Sequence, residues 1–301
     1  MKKTSILSRM CALFSTVAIM NCSAAAPENT SPAQGMASTT PNHKVSIYGS
    51  TIVQPNIPGY QHTIEASKIH LGANVHNEQL GNLASWVGDD GTFSVDNTSG
   101  LVIAANSSVS PAYLAPSYSG GFEAHKALVK SYFLSAGLPA DQVRGVAGFS
   151  KGTTSGFAAG ASPGQPILLG FASTVARIVS SYPVPESSAA AQFNANGEVV
   201  REVVYWPELP GSVLSDATAL SAVVADAVQG PTYLASLPLI GQPVVVIHHS
   251  VDNPAGLVAF ASCDVVNTGL ATRHFDINGA ELMLPEEARA AMTATSRITQ
   301  Q

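Results

Sequence analysis

One stretch, residues 168–208, reads as though it occurs twice, and this narrows the fold more than any other feature. The first copy carries Phe171-Ala172-Ser173, then Phe193-Asn194-Ala195-Asn196-Gly197, and closes on Trp206-Pro207-Glu208. The second carries Phe260-Ala261-Ser262, then Phe275-Asp276-Ile277-Asn278-Gly279, and closes on Leu284-Pro285-Glu286. Each reads as a strand, an Asn-Gly hairpin and a proline stop. A two-residue type I′ turn needs positive φ at both central residues, which Asn tolerates and Gly adopts freely. That geometry pairs Ala195 with Glu198, Phe193 with Val200 and Ala191 with Glu202. In the second copy it pairs Phe275 with Leu282 and sets Asp276 opposite Glu281, an unfavourable like-charge pair. Two unrelated hairpins would give the same pattern, so duplication is one of two accounts.

The copies extend to whole units when helices are added. Residues 122–136 place Leu128, Val129, Tyr132, Phe133 and Ala136 on one stripe, with Gly137 as a left-handed cap and Pro139 as a stop. Residues 213–228 align Val213, Ala217, Leu220, Val224 and Val228, and Gly230-Pro231 reads as their end. Strands are expected at 143–149, 167–179, 199–206, 243–249 and 258–266, and a terminal helix at 286–294. Valines and aromatics on both faces of 199–206 mark a central strand. The reading is therefore α+β: two tandem helix-plus-antiparallel-meander units, 122–211 and 212–301, after a β-rich segment at 44–110. Within that segment, strands are read at 45–53 and 101–105 and a hairpin around Asp89-Asp90-Gly91. Residues 64–71 stay open between strand and short helix, and the Ser/Pro/Tyr-rich run 106–121 reads as a boundary. The element order resembles that of small exported helix-on-meander modules of the cystatin-like or PepSY kind. The likeness rests on element order and implies nothing about activity.

The start of the chain points to export. Lys2, Lys3 and Arg9 precede an apolar run at 10–20, and Ser23-Ala24-Ala25 offers a cleavage site, so 1–26 reads as a signal peptide. Lipid attachment at Cys22 is the alternative to simple secretion, although Ile19-Met20-Asn21 matches that signal poorly. Residues 27–43 read as a disordered polar tether. Removing the leader takes away three of the 14 Lys/Arg and leaves 11 against 20 Asp/Glu, a net charge of −9. No basic patch is visible, which argues against nucleic-acid binding. No second long apolar run suggests a membrane span. Cys263 reads as a buried small hydrophobe, with no internal disulfide expected.

Chemistry is harder to find. Gly148-Phe149-Ser150-Lys151-Gly152 matches the G-x-S-x-G nucleophile elbow, and Ser150, Asp252 and His274 follow the chain order of a serine-hydrolase triad. Against this, Thr153–Ser162 contains Gly156 and Gly160 and is a poor helix former, and no oxyanion segment precedes it. Ser150 and Ser250 also read as equivalent strand ends of the two units. His248 and His249, adjacent on a strand, point to opposite faces and cannot chelate one ion together; one is expected buried and the other exposed. His62, His70 and His76 are loosely scattered. Asp89, Asp90, Asp96 and Asn97 lack EF-hand spacing and read as an exposed turn. Tyr113, Tyr118 and Trp206 could line a groove, though Trp206 beside Pro207 fits a packed strand end. There is no P-loop, dinucleotide fingerprint or CxxC pair. The leading expectation is an exported, non-catalytic binding or structural protein of the envelope, with an unidentified protein or small-molecule partner and no cofactor or metal. The competing expectation is a secreted esterase-like hydrolase using Ser150.

Overall fold

The apolar stripe at 122–136 folds as helix α1 (Gly121–Ser135), burying Val129, Tyr132 and Phe133. Its end is a full Schellman cap. Gly137 sits at φ +101°, and its N–H bonds the Leu134 carbonyl while the Leu138 N–H bonds that of Phe133. The computed structural model describes residues 52–54, 56–106, 120–153, 167–237, 241–251, 256–266, 272–288 and 290. The leader, the tether, Cys22, Tyr113, Tyr118 and Asp252 lie outside them. Residues 44–301 form one unit.

The class is α+β, with helices packed on antiparallel sheets. The strands are β1 (Ile52–Gln54), β2 (His76–Leu80), β3 (Leu83–Val87), β4 (Gly91–Asp96), β5 (Val102–Asn106), β6 (Val143–Thr153), β7 (Ile167–Val179), β8 (Tyr182–Phe193), β9 (Val199–Tyr205), β10 (Gln242–His249), β11 (Leu257–Val266), β12 (Arg273–Phe275) and β13 (Glu281–Leu282). Eight of them form one sheet in the order β2-β3-β4-β5-β9-β8-β7-β6. The run read as a boundary is bridged by this sheet: β5 of the N-terminal segment pairs with β9, Val102 opposite Val204. β9 is thus central, as its two apolar faces suggest. α1 covers one face of the sheet, and Phe93, Val102, Phe133, Val175, Phe193, Val199 and Val204 share the core between them. Residues 64–71, ambiguous in sequence, are mostly irregular and pack Ile64, Ile69 and Leu71 on that core.

β11 is the spine of the second sheet. β10 pairs along one of its edges, and β1 and β12 share the other. Alternation gives β11 two unlike faces. Leu257, Ala259, Ala261, Cys263 and Val265 face an apolar core with α2 (Gly211–Ala225), which contributes Val213, Ala217 and Leu220. Cys263 is buried there as a free thiol. Phe260, Ser262 and Asp264 lie on the other face. The helix expected to run to 228 stops at Ala225, and a second one, α3 (Gln229–Ser236), follows. Gly230-Pro231 opens α3 instead of closing α2, because the Asp226 carboxylate accepts the Val228 and Gln229 N–H groups and proline is welcome in a first turn. Among the described residues, no single helix is long and apolar enough to cross a membrane.

Both expected hairpins form, but with a different turn. Asn194 N–H bonds the Glu198 carbonyl, and Gly197 N–H bonds that of Asn194. Asp276, Gly279 and Ala280 repeat the pattern. In each, the first side chain accepts two further N–H groups: Asn194 Oδ1 from Asn196 and Glu198, Asp276 Oδ1 from Asn278 and Ala280. These are three-residue loops with one left-handed glycine, Gly197 at φ +78° and Gly279 at φ +77°. The extra loop residue shifts the register. Phe193 faces Val199, not Val200, and Phe275 faces Glu281 while His274 faces Leu282. The like-charge Asp276–Glu281 pair is avoided. Gly197→Ala is expected to destabilise the fold by about 1–2 kcal/mol in urea denaturation, through left-handed strain alone, since a Cβ there meets nothing within 4 Å.

Candidate functional site

The buried polar face of the second sheet gathers side chains from three neighbouring strands. Asp264 on β11 sits directly opposite His274 on β12, and His248 on β10 stands opposite Phe260, on the same face. His274 Nδ1 lies 2.8 Å from Asp264 Oδ1, and His248 Nε2 lies 3.0 Å from Oδ2. Ser262 donates its hydroxyl to Asp264 Oδ1 at 2.6 Å. The two rings are 4.2 Å apart between centroids. Phe260, Leu282 and Leu284 wall the same face.

Two more carboxylates hold the far sides of the rings. Glu186 Oε1 lies 2.7 Å from His248 Nδ1, and Glu287 Oε1 lies 3.2 Å from His274 Nε2. Glu186 gets there through an irregularity in β8. Ala176 pairs with Ser188 but Arg177 pairs with Val184, so Pro185, Glu186 and Ser187 are left over as a bulge. The bulge aims Glu186 at His248 and Ser187 at His249. Pro183 and Pro185 in an apolar run were the sequence signal for it, because proline cannot donate to the ladder. Glu287 belongs to the helical turn at 285–288, where its second oxygen accepts the Leu284 N–H at 2.7 Å, the reach-back half of a capping box.

Burial alone would keep His248 neutral, yet Glu186 and Asp264 outweigh it and push its pKa up to about 10. Burial likewise opposes charge on Asp264, but His248 and then His274 hold it well below the usual carboxylate range. Glu186 and Glu287 are lowered in the same way, and His274 is raised because the hydrogen bonds to Asp264 and Glu287 outweigh its burial. Three carboxylates thus face two imidazoles in a space where the Asp264, His248 and His274 side chains are each 8% exposed or less.

The neighbouring histidine is different in kind. His249 is fully buried as well, so the expected exposed partner of the pair does not exist; the β8 bulge reaches both rings, Glu186 against His248 and Ser187 against His249. Its Nδ1 donates to the Ser250 carbonyl, which leaves Nε2 to accept from Ser187 at 2.7 Å. Burial drops its pKa to about 4. Ser187 also accepts from the buried Arg177, whose guanidinium donates to Gln142 and the Pro207 carbonyl and lies over Trp206. This chain locks the sheets together, and Trp206 is a packed strand end within it.

Ser150 lies within β6, its backbone paired with Phe171, and the strand continues to Thr153. The strand-to-helix turn of a nucleophile elbow is not found there. Gly148 has a packing reason instead: a Cβ would come within 2.8 Å of the Phe122 ring on α1. His274, the expected base, lies on the other sheet and has both ring nitrogens engaged by carboxylates, Asp264 on β11 and Glu287 in the helical turn. His62 is buried against Glu202, while exposed His76 pairs with Glu78. Asp96 accepts the Thr98 and Ser99 N–H groups, and Asp89 accepts from Asn74, so both serve turns. Among the described residues, His248, Asp264 and His274 are the set whose metal-ligating atoms converge, all within 4.8 Å of one another. Sequence reading missed it because the three are far apart in the chain and meet only through the β10–β11–β12 register. No known family matches the chain, and no curated protein or solved structure shows significant similarity to it.

Proposed function

We propose that this chain is an exported, non-catalytic α+β protein that acts by binding. The observation that carries the reading is the commitment of His274. Asp264 and Glu287 occupy both of its nitrogens, so neither is offered to a serine hydroxyl as a base. The basic-then-apolar start of the sequence supports export, and the net negative charge of the mature chain supports a neutral or cationic ligand over nucleic acid. The same reading takes the two helix-plus-meander stretches as copies, supported by the identical hydrogen bonding of their turns.

A fluorophosphonate probe tests this on the folded protein. No labelling is expected. Stoichiometric labelling that disappears in Ser150→Ala would overturn the non-catalytic reading and favour a secreted hydrolase.

A further inference from the structure

We infer that His248, Asp264 and His274 form a binding site for one borderline divalent metal ion, with Zn²⁺ the best match. This deepens the binding reading by naming its ligand.

The inference rests on aim. His248 Nε2 and His274 Nδ1 both face Asp264, while the opposite nitrogens are held by Glu186 and Glu287. Metal-bound histidines are oriented in this way, with the far N–H given to a carboxylate that fixes the tautomer and strengthens the donor. A tetrahedral ion with bonds of about 2.0–2.1 Å spaces its ligand atoms about 3.3 Å apart. Asp264 Oδ1 already lies 2.8 Å from His274 Nδ1 and 3.2 Å from His248 Nε2, and the ligand atoms of the three residues all lie within 4.8 Å of one another. Bringing the two Asp264 contacts to that spacing takes about 0.1–0.5 Å of side-chain adjustment. The strands beneath are paired in register, so the scaffold is rigid.

Charge balance agrees. Glu186, Asp264 and Glu287 supply three negative charges. One divalent ion between two neutral imidazoles would offset two of those charges. As a purely ionic network, the cluster would have to repay the desolvation of several charges, which apolar side chains would avoid. Imidazole with carboxylate selects zinc-like ions over Ca²⁺ and Mg²⁺, which take oxygen sets. Glu287, its side chain 40% exposed, marks the side from which an ion enters.

The test uses the full folded chain, stripped with chelator, then titrated with Zn²⁺ by calorimetry and with Co²⁺ by visible absorption. The expected result is one ion per chain, with the d–d band of four-coordinate cobalt. Asp264→Asn should abolish uptake, Glu287→Gln should weaken it about 10–100-fold, and His76→Ala, at the exposed His76–Glu78 pair, should change nothing. Wild-type protein that takes up no stoichiometric ion would overturn the assignment and leave an ionic network. So would uptake lost in His76→Ala but kept in Asp264→Asn. If Asp264→Asn does not fold, Glu287→Gln decides, and unchanged affinity overturns the site. Ion uptake and serine labelling are read separately, so failure of one leaves the other standing.

Discussion

Asp264→Ala is expected to lower the unfolding free energy of the ion-free protein by about 3–5 kcal/mol, the range for removing one partner of a buried charged network. Asp264 accepts from His248, His274 and Ser262 at once. Alanine leaves those three donors facing an unfilled space. Asp264→Asn keeps the volume and one acceptor, so its loss should be smaller. Urea denaturation at pH 7 in chelator measures both. The pH profile carries a second signature. The Asp264 pKa is depressed in the fold, so its contribution is present above the unfolded value near 3.8 and is lost as pH falls. The His248 pKa is raised from 6.5 to about 10, so its contribution is complete below about pH 6.5 and declines as pH rises towards 10. Wild-type stability should therefore fall on the alkaline side across that window, and the fall should be shallower in Asp264→Ala.

Glu202→Ala should cost a comparable amount, about 3–5 kcal/mol, through a second buried carboxylate network. Glu202 on β9 is 1% exposed. One oxygen accepts from Tyr132 on α1 at 2.6 Å and lies 3.2 Å from His62 Nε2; the other accepts from Ser67. His62 Nδ1 in turn lies 3.0 Å from the Tyr60 hydroxyl. These bonds fasten the irregular segment 60–69 over the core of the larger sheet, where backbone pairing holds it only at its ends, Tyr60 N–H to the Trp206 carbonyl and the Ile69–Val199 bridge. The loss should appear in urea denaturation and as faster amide exchange at 62–69 than in Tyr132→Phe. That variant removes one hydrogen bond to a charged group, worth about 1.5–3 kcal/mol, and leaves the carboxylate its other partners.

Much of the architecture was legible because it depends on local periodicity. The stripe at Val129, Tyr132 and Phe133 gave α1, and the run 167–179 gave β7 with the bounds observed. The Asn-Gly pairs gave both hairpins, yet not their register. A three-residue loop with one left-handed glycine uses the same residues as a type I′ turn, and the choice between them moves each partner by one position. α3 was missed because Gly230-Pro231 reads equally as a stop and as a first turn. Asp226, with two N–H groups on its carboxylate, decides it. The candidate site was not legible at all. Asp264 and His274 are ten residues apart and become neighbours only through the β11–β12 pairing, and His248 arrives from a third strand. Glu186 reaches them through a bulge whose length no alternation rule supplies. The adjacency of His248 and His249 drew attention to the wrong pair: strand geometry separates those two and joins His248 to residues far along the chain.

The most direct measurement is anomalous diffraction from crystals soaked in Co²⁺ or Zn²⁺. One peak bonded to His248 Nε2, Asp264 and His274 Nδ1 at about 2.0–2.2 Å is expected, with Glu186 and Glu287 still on the far nitrogens. A peak bound only at surface residues such as His76, with the His248–Asp264–His274 contacts unchanged, would contradict the account.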